Sequence, residues 1–128
     1  MDETSHHSAR VLVVDDDSGV RTVARSVLRS AGYDVDEAED GRVGVRRFRE
    51  RPADVVVCDI FMPEQDGLEM ISALTREFIG VKIIAVSPSS SGRIDYSGAA
   101  RRLGALDTLE KPFTSDQLLG AVRALIAA

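Results

Sequence analysis

Arg10-Val11-Leu12-Val13-Val14-Asp15-Asp16-Asp17, residues 10–17, sets a nearly unbroken apolar run directly against three acids. An apolar run that does not alternate is what a strand buried on both faces requires. Such strands belong to parallel sheets with helices on each side. The segment that follows supports this reading. Ser18 stands where an N-cap is expected, and Val20, Val23, Ala24, Val27, Leu28 and Ala31 recur at helical spacing. Gly32 then acts as the stop.

The same alternation of short β-branched runs and longer amphipathic segments continues along the chain. Further strands are expected at 33–37, 54–58, 82–86 and 106–109, and helices at 41–50, from after 67 to about 78, and at 95–103. Residues 59–67 are turn-rich, and 87–92, rich in Ser, Gly and Pro, read as a loop. Thr114 or Ser115 caps a last helix carrying Leu118, Leu119, Val122, Leu125 and Ile126. Five strands separated by five helices predict an α/β, flavodoxin-like doubly wound (βα)5 three-layer sandwich. The five-stranded parallel sheet takes the order 2-1-3-4-5, because strand 1 reads as more buried than strand 2. Residues 1–9 are polar and aperiodic and read as a flexible tail, with His6 and His7 solvated on it. Residues 10–128 form one domain. The starting methionine and the end just past the last helix read as a single-domain chain, a piece of a larger protein being the alternative.

Composition narrows the function classes. At 128 residues there is room for one core, and 44% hydrophobic residues are too many for a disordered tail. No apolar run approaches the roughly 18 residues that span a bilayer, and the N-terminus lacks the pattern of a signal peptide. No membrane association is expected, and a cytoplasmic address follows as the default. The net charge of −5 argues against direct nucleic-acid binding and suits a carboxylate cluster awaiting a cation. Cys58, the one cysteine, reads as a small buried side chain. Arg42, Arg46, Arg47 and Arg49 read as a solvated helix face, and so do Arg101 and Arg102.

Ligands of an open parallel sheet sit beyond the carboxyl ends of its strands. Strand 1 delivers Asp15-Asp16-Asp17 there, strand 3 Asp59, strand 4 Ser87 and strand 5 Glu110-Lys111-Pro112. Asp15-Asp16-Asp17 alone could be no more than acids at a helix N-terminus. Asp15, Asp16 and Asp59 crowded together repel one another unless a hard cation neutralises them. Mg2+ suits one or two carboxylates, waters and a phosphoryl oxygen, and Lys111 offers a point charge for a carboxylate or phosphate. Asp59, carried to the middle of the cluster by the central strand, is the best nucleophile for a phosphoryl donor. Ser87 can then donate to a phosphate oxygen.

These residues resemble the response-regulator receiver domain of two-component signalling, over roughly residues 10–126. The similarity rests on residues 11–17, on Asp59-Ile60-Phe61-Met62-Pro63-Glu64-Gln65-Asp66-Gly67, on Ala85-Val86-Ser87 and on Lys111-Pro112-Phe113. The resemblance implies that Asp59 is the phosphoacceptor and that Asp16, Asp59 and the backbone carbonyl of Phe61 hold Mg2+, with Asp15 assisting through a water. It implies that Ser87 is the switch hydroxyl and that Lys111 pairs with the phosphoryl group. The Lys111-Pro112 peptide is expected to be cis, and Pro63 and Gly67 to shape the loop. The implied donor is a sensor histidine kinase or a histidine phosphotransfer protein, the output an unidentified protein target, and the state a monomer or weak dimer. No enzyme activity is implied beyond the domain's own phosphorylation and dephosphorylation. Where such domains often carry Tyr or Phe, this chain has Thr108, with Tyr96 in the preceding helix region. Pro88 follows Ser87 where a small residue is common, and Phe61 is bulky enough to hinder a hydrolytic water.

Two other functions compete. A receiver-like interaction module could work without phosphorylation, although the intact set Asp15, Asp16, Asp59, Ser87 and Lys111 speaks against it. A nucleotide-binding enzyme of the same fold would need a glycine loop after strand 1, and three acids stand there instead.

Overall fold

The computed structural model of the chain describes residues 8–63, 66–88 and 95–128. His6 and His7 of the expected tail, Glu64 and Gln65, and most of the loop expected at 87–92 lie outside these residues. The strands are β1 (Arg10–Val14), β2 (Asp34–Ala38), β3 (Val55–Asp59), β4 (Ile83–Ser87) and β5 (Asp107–Glu110). The helices are α1 (Ser18–Ser30), α2 (Gly41–Glu50), α3 (Asp66–Glu77), α4 (Tyr96–Leu103) and α5 (Ser115–Ala127). All strand pairs are parallel, in the expected order β2-β1-β3-β4-β5. No helix of the described residues is long and apolar enough to cross a membrane.

Alternate residues of the central strands feed two cores. Val11, Val13, Val55, Val57, Ile84 and Val86 face Ala24 and Leu28 of α1 and Leu118 and Val122 of α5. Leu12, Val14, Val56, Cys58, Ile83 and Ala85 face Phe48 of α2, Met70, Ile71 and Leu74 of α3, and Ala100 of α4. Each fully buried Leu or Ile contributes about 1.5–3 kcal/mol, so the two faces together supply most of the drive to fold. Cys58 is buried, and burial pushes its thiol well above the ordinary value, as expected of an inert packing residue.

Several boundaries differ from the sequence reading. Asp17, not Ser18, caps α1, and its carboxylate accepts from the N–H of Gly19 (2.8 Å) and Val20 (3.3 Å). A carboxylate at that position also meets the positive end of the helix dipole. Strands β2 to β5 all begin and end one residue later than the apolar pattern suggested; in β3, β4 and β5 the ladder extends over a polar residue at the carboxyl end, Asp59, Ser87 and Glu110. Ser87 is thereby the last residue of β4, not the first of a loop, and pairs with Glu110. Val23 repeats with the core positions of α1 yet is 62% exposed. Thr114 caps α5 through a reciprocal capping box with Gln117.

Candidate functional site

The sheet's carboxyl edge draws the acids together. Asp15 directly follows β1, and Asp59 ends β3, where it pairs with Val86 of the adjacent strand. Asp15 is 3% exposed and Asp59 4%, while Asp16 is exposed. One carboxylate oxygen from each of Asp15, Asp16 and Asp59 lies within 4.8 Å of the others. Asp17, the third acid of the run, stands apart as the α1 cap.

Lys111, just beyond β5, reaches back over the cluster. Its Nζ donates to Asp15 Oδ2 at 2.9 Å and to Asp59 Oδ2 at 2.9 Å. Its backbone N–H donates to the Ser87 carbonyl at 2.9 Å, tying the end of β5 to the end of β4, and the Lys111-Pro112 peptide is cis. The free oxygens are also engaged. Asp15 Oδ1 accepts from the Asp17 N–H (2.9 Å), and Asp59 Oδ1 accepts from the Phe61 N–H (2.8 Å).

The electrostatics follow from this packing. Burial pushes the Asp59 carboxyl above the usual carboxylate range; the ammonium of Lys111 and the Phe61 N–H pull the other way without reversing it, and Asp15 adds its repulsion. Burial acts to lower the Lys111 pKa, but its hydrogen bonds to Asp15 and Asp59 win and hold it above the ordinary value. Three carboxylates against one ammonium leave two negative charges. An all-oxygen donor set with that residual charge fits a hard divalent cation, and Asp16 keeps one side of the cluster open to solvent.

Around this centre lie the residues that depart from the expected pattern. Phe61 is 60% exposed, and its ring meets Tyr96 at the start of α4 edge to face, centroids 5.6 Å apart. Thr108 sits on β5, where its hydroxyl accepts from Arg101 Nη2 at 3.4 Å, while the Arg101 side chain stays half exposed. Gly67 lies so close to the backbone of Asp59 and Ile60 that a Cβ would approach both to 2.3 Å. The start of α3 can pack under the phosphoacceptor candidate only with glycine there. An apolar groove of about 800 Å³ opens beside Lys111, walled by Val20, Val23, Val27, Pro112, Phe113 and Leu118.

One contact escaped the sequence reading. Arg21 Nη1 donates to the Asp15 carbonyl at 2.6 Å, and its Nε lies 3.4 Å from Glu37 of β2. An arginine one turn into a helix points back toward the N-terminus, which was a legible signal. The partner on β2 was not.

Fold and site define a class, a receiver domain, and the comparisons agree. Residues 11–123 match the response regulator receiver domain, and the chain belongs to that family of two-component signalling proteins. It is 39% identical to the transcriptional regulatory protein PrrA of Mycobacterium leprae over 124 residues, covering 97% of this chain and 52% of that protein. It is also 39% identical to the response regulator MprA of Mycolicibacterium vanbaalenii, covering 91% of this chain and 50% of that protein. The chain thus spans about half the length of these relatives. Among solved structures, a receiver domain protein from Clostridium thermocellum superposes with a TM-score of 0.84 at 28% identity, covering 93% of this chain and 94% of the other. The chemotaxis protein CheY4 of Vibrio cholerae gives 0.85 at 27%, covering 93% and 99%.

Proposed function

We propose that this domain accepts a phosphoryl group on Asp59 from a phosphohistidine of a sensor histidine kinase or phosphotransfer protein, with Mg2+ required, and then changes its binding surface. The observation that carries the reading is the triple meeting of Asp59 with Lys111 at 2.9 Å and with the Asp15 and Asp16 carboxylates within 4.8 Å. An Asp59 oxygen attacks phosphorus, the P–N bond to the donor imidazole breaks, and the imidazole leaves with the electron pair. Asp16 and Asp59 would hold Mg2+ with the Phe61 carbonyl, and Asp15 through a water. When bound, the ion supplies neutralising charge to the transferring oxygens. Lys111 already touches the attacking residue, so it spreads the charge of the transferring group without having to be recruited.

After transfer, the Ser87 hydroxyl donates to a phosphate oxygen and Lys111 pairs with another. Turning a mostly-off population mostly on takes about 5.5 kcal/mol. One charge-assisted hydrogen bond gives roughly 1.5–3 kcal/mol, so Ser87 and Lys111 act together. Ser87 ends the strand preceding α4, which makes α4 and its approach the segment that responds, and a protein target the reader of the change.

Asp59 is 4% exposed and ends β3, so a donor protein approaches from the sheet's carboxyl edge. The apolar groove along α1 opens at that edge and shares Lys111 with the site, which suits a helical donor. We take the domain to work in the cytoplasm and to catalyse nothing beyond its own phosphorylation and dephosphorylation. Incubation with acetyl phosphate and MgCl2, read by intact-mass spectrometry, tests the reading. A base-labile phosphoryl adduct is expected on the wild type and not on Asp59→Asn. Equal labelling of the two would overturn the assignment.

A further inference from the structure

We infer that Arg21 is a positioning residue for the acid pocket: its guanidinium, braced by Glu37, fixes the peptide between Asp15 and Asp16 and so sets the pocket's affinity for its cation. This rests on the proposal that Asp15, Asp16 and Asp59 bind Mg2+.

Neighbouring side chains on an extended strand point to opposite faces. Asp15 and Asp16 nevertheless bring their oxygens into one cluster with Asp59, so the chain must leave the extended path at the peptide joining them. That peptide lies just past β1, beyond the ladder that fixes the strand itself. The peptide before it, between Val14 and Asp15, is held through the Asp15 N–H by the Ala38 carbonyl at 3.1 Å. The Asp15 carbonyl itself accepts from Arg21 Nη1 at 2.6 Å. The guanidinium is itself immobilised. Its Nε faces Glu37 Oε1 at 3.4 Å, while Arg25 occupies Glu37 Oε2. The Arg21 side chain is mostly buried, and α1, whose cap is Asp17, carries it. Helix, β2 and the acid turn are thereby joined through one guanidinium.

Charge and geometry predict opposite signs for its removal. As a bare positive charge near the pocket, Arg21 repels a cation, and its loss should tighten binding. As the brace of the acid turn, its loss should weaken binding. Groups that orient metal-holding residues typically account for 10–100-fold in affinity. Arg21 acts through one backbone carbonyl, so the lower end applies.

The test is an MgCl2 titration of the full chain followed by amide NMR shifts, with melting temperatures to confirm folding. Arg21→Met is expected to bind Mg2+ about tenfold more weakly than wild type, with Arg21→Lys, which keeps the charge and loses the fork, in between. Arg21→Met binding as tightly as wild type or more tightly would overturn the inference. Should that variant fail to fold, Arg21→Lys at wild-type affinity would do so. Asp16→Asn separates the two levels. If it binds as wild type does, the ion is not in this pocket and the underlying site reading fails. If it loses binding while the Arg21 variants do not, only the role of Arg21 falls.

Discussion

Lys111 Nζ stands 2.9 Å from Asp59 Oδ2, although 52 residues separate them in sequence. The same nitrogen holds Asp15, 96 residues away, at an equal distance. One ammonium thus spans the strands that supply the acids and occupies part of the charge that a cation would otherwise neutralise.

Replacing that ammonium has two effects of opposite sign. Lys111→Met should slow labelling by acetyl phosphate about 100-fold, the typical loss of one preorganised charge-stabilising donor. It should also tighten Mg2+ binding, since the competing positive charge is gone. Time-resolved mass spectrometry and an NMR titration check the pair; labelling within threefold of wild type would contradict the assigned role.

The raised pKa of Asp59 makes a statement about stability. Its native state binds a proton more tightly than the unfolded chain, so this site's contribution is fully present below the ordinary value of 3.8 and is lost as pH rises through the folded value. In Mg2+-free buffer at neutral pH, ionised Asp59 therefore costs stability. Asp59→Asn should melt about 2–5 °C higher there, as roughly 1 kcal/mol gives in a domain of this size. The gap should close as pH falls toward 4. Thermal melts across pH decide it, and identical curves at pH 7 would refute it.

Gly67 has no room to grow. A Cβ would meet the Asp59 carbonyl oxygen at 2.3 Å, and both partners are backbone. Gly67→Ala should cost about 1–3 kcal/mol in urea unfolding and disturb phosphorylation as well, because the atoms displaced belong to the acceptor residue.

Phe61 and Tyr96 form an aromatic pair next to the acceptor. Phe61→Ala should open that side to water and shorten the life of the aspartyl phosphate severalfold, with little change in melting temperature because the ring is 60% exposed. Decay of the phosphorylated mass after donor removal measures it. An unchanged half-life would show that the ring does not shield the phosphoryl group.

Val23 tests how the donor arrives. It is exposed at the wall of the groove beside Lys111. Val23→Asp should leave labelling by acetyl phosphate intact and reduce transfer from a phosphohistidine protein at least tenfold. Equal loss with both donors would indicate damage to the site itself.

The strand and helix alternation and the sheet order were legible in residues 10–17 and their repeats, because burial on both faces imposes an unbroken apolar run. The meeting of Asp15, Asp16, Asp59 and Lys111 at one edge was legible too, since strand ends of a parallel sheet share that edge. The boundaries were not. Hydrophobic pattern stops at the last apolar residue, whereas the ladder continues over Asp59, Ser87 and Glu110, so polar residues at strand ends, buried or exposed, look like loop. Ser18 likewise looked like the cap of α1, and Asp17 takes that place.

Sequence by itself determined the architecture and the inventory of reactive groups, because periodicity is a local property and records which faces must be dry. Tertiary structure alone decided the partnerships: Lys111 with Asp15 and Asp59, Arg21 with the Asp15 carbonyl, Phe61 with Tyr96. Those contacts join residues on different elements, and their distances depend on how strands, helices and caps pack together, which no local pattern encodes.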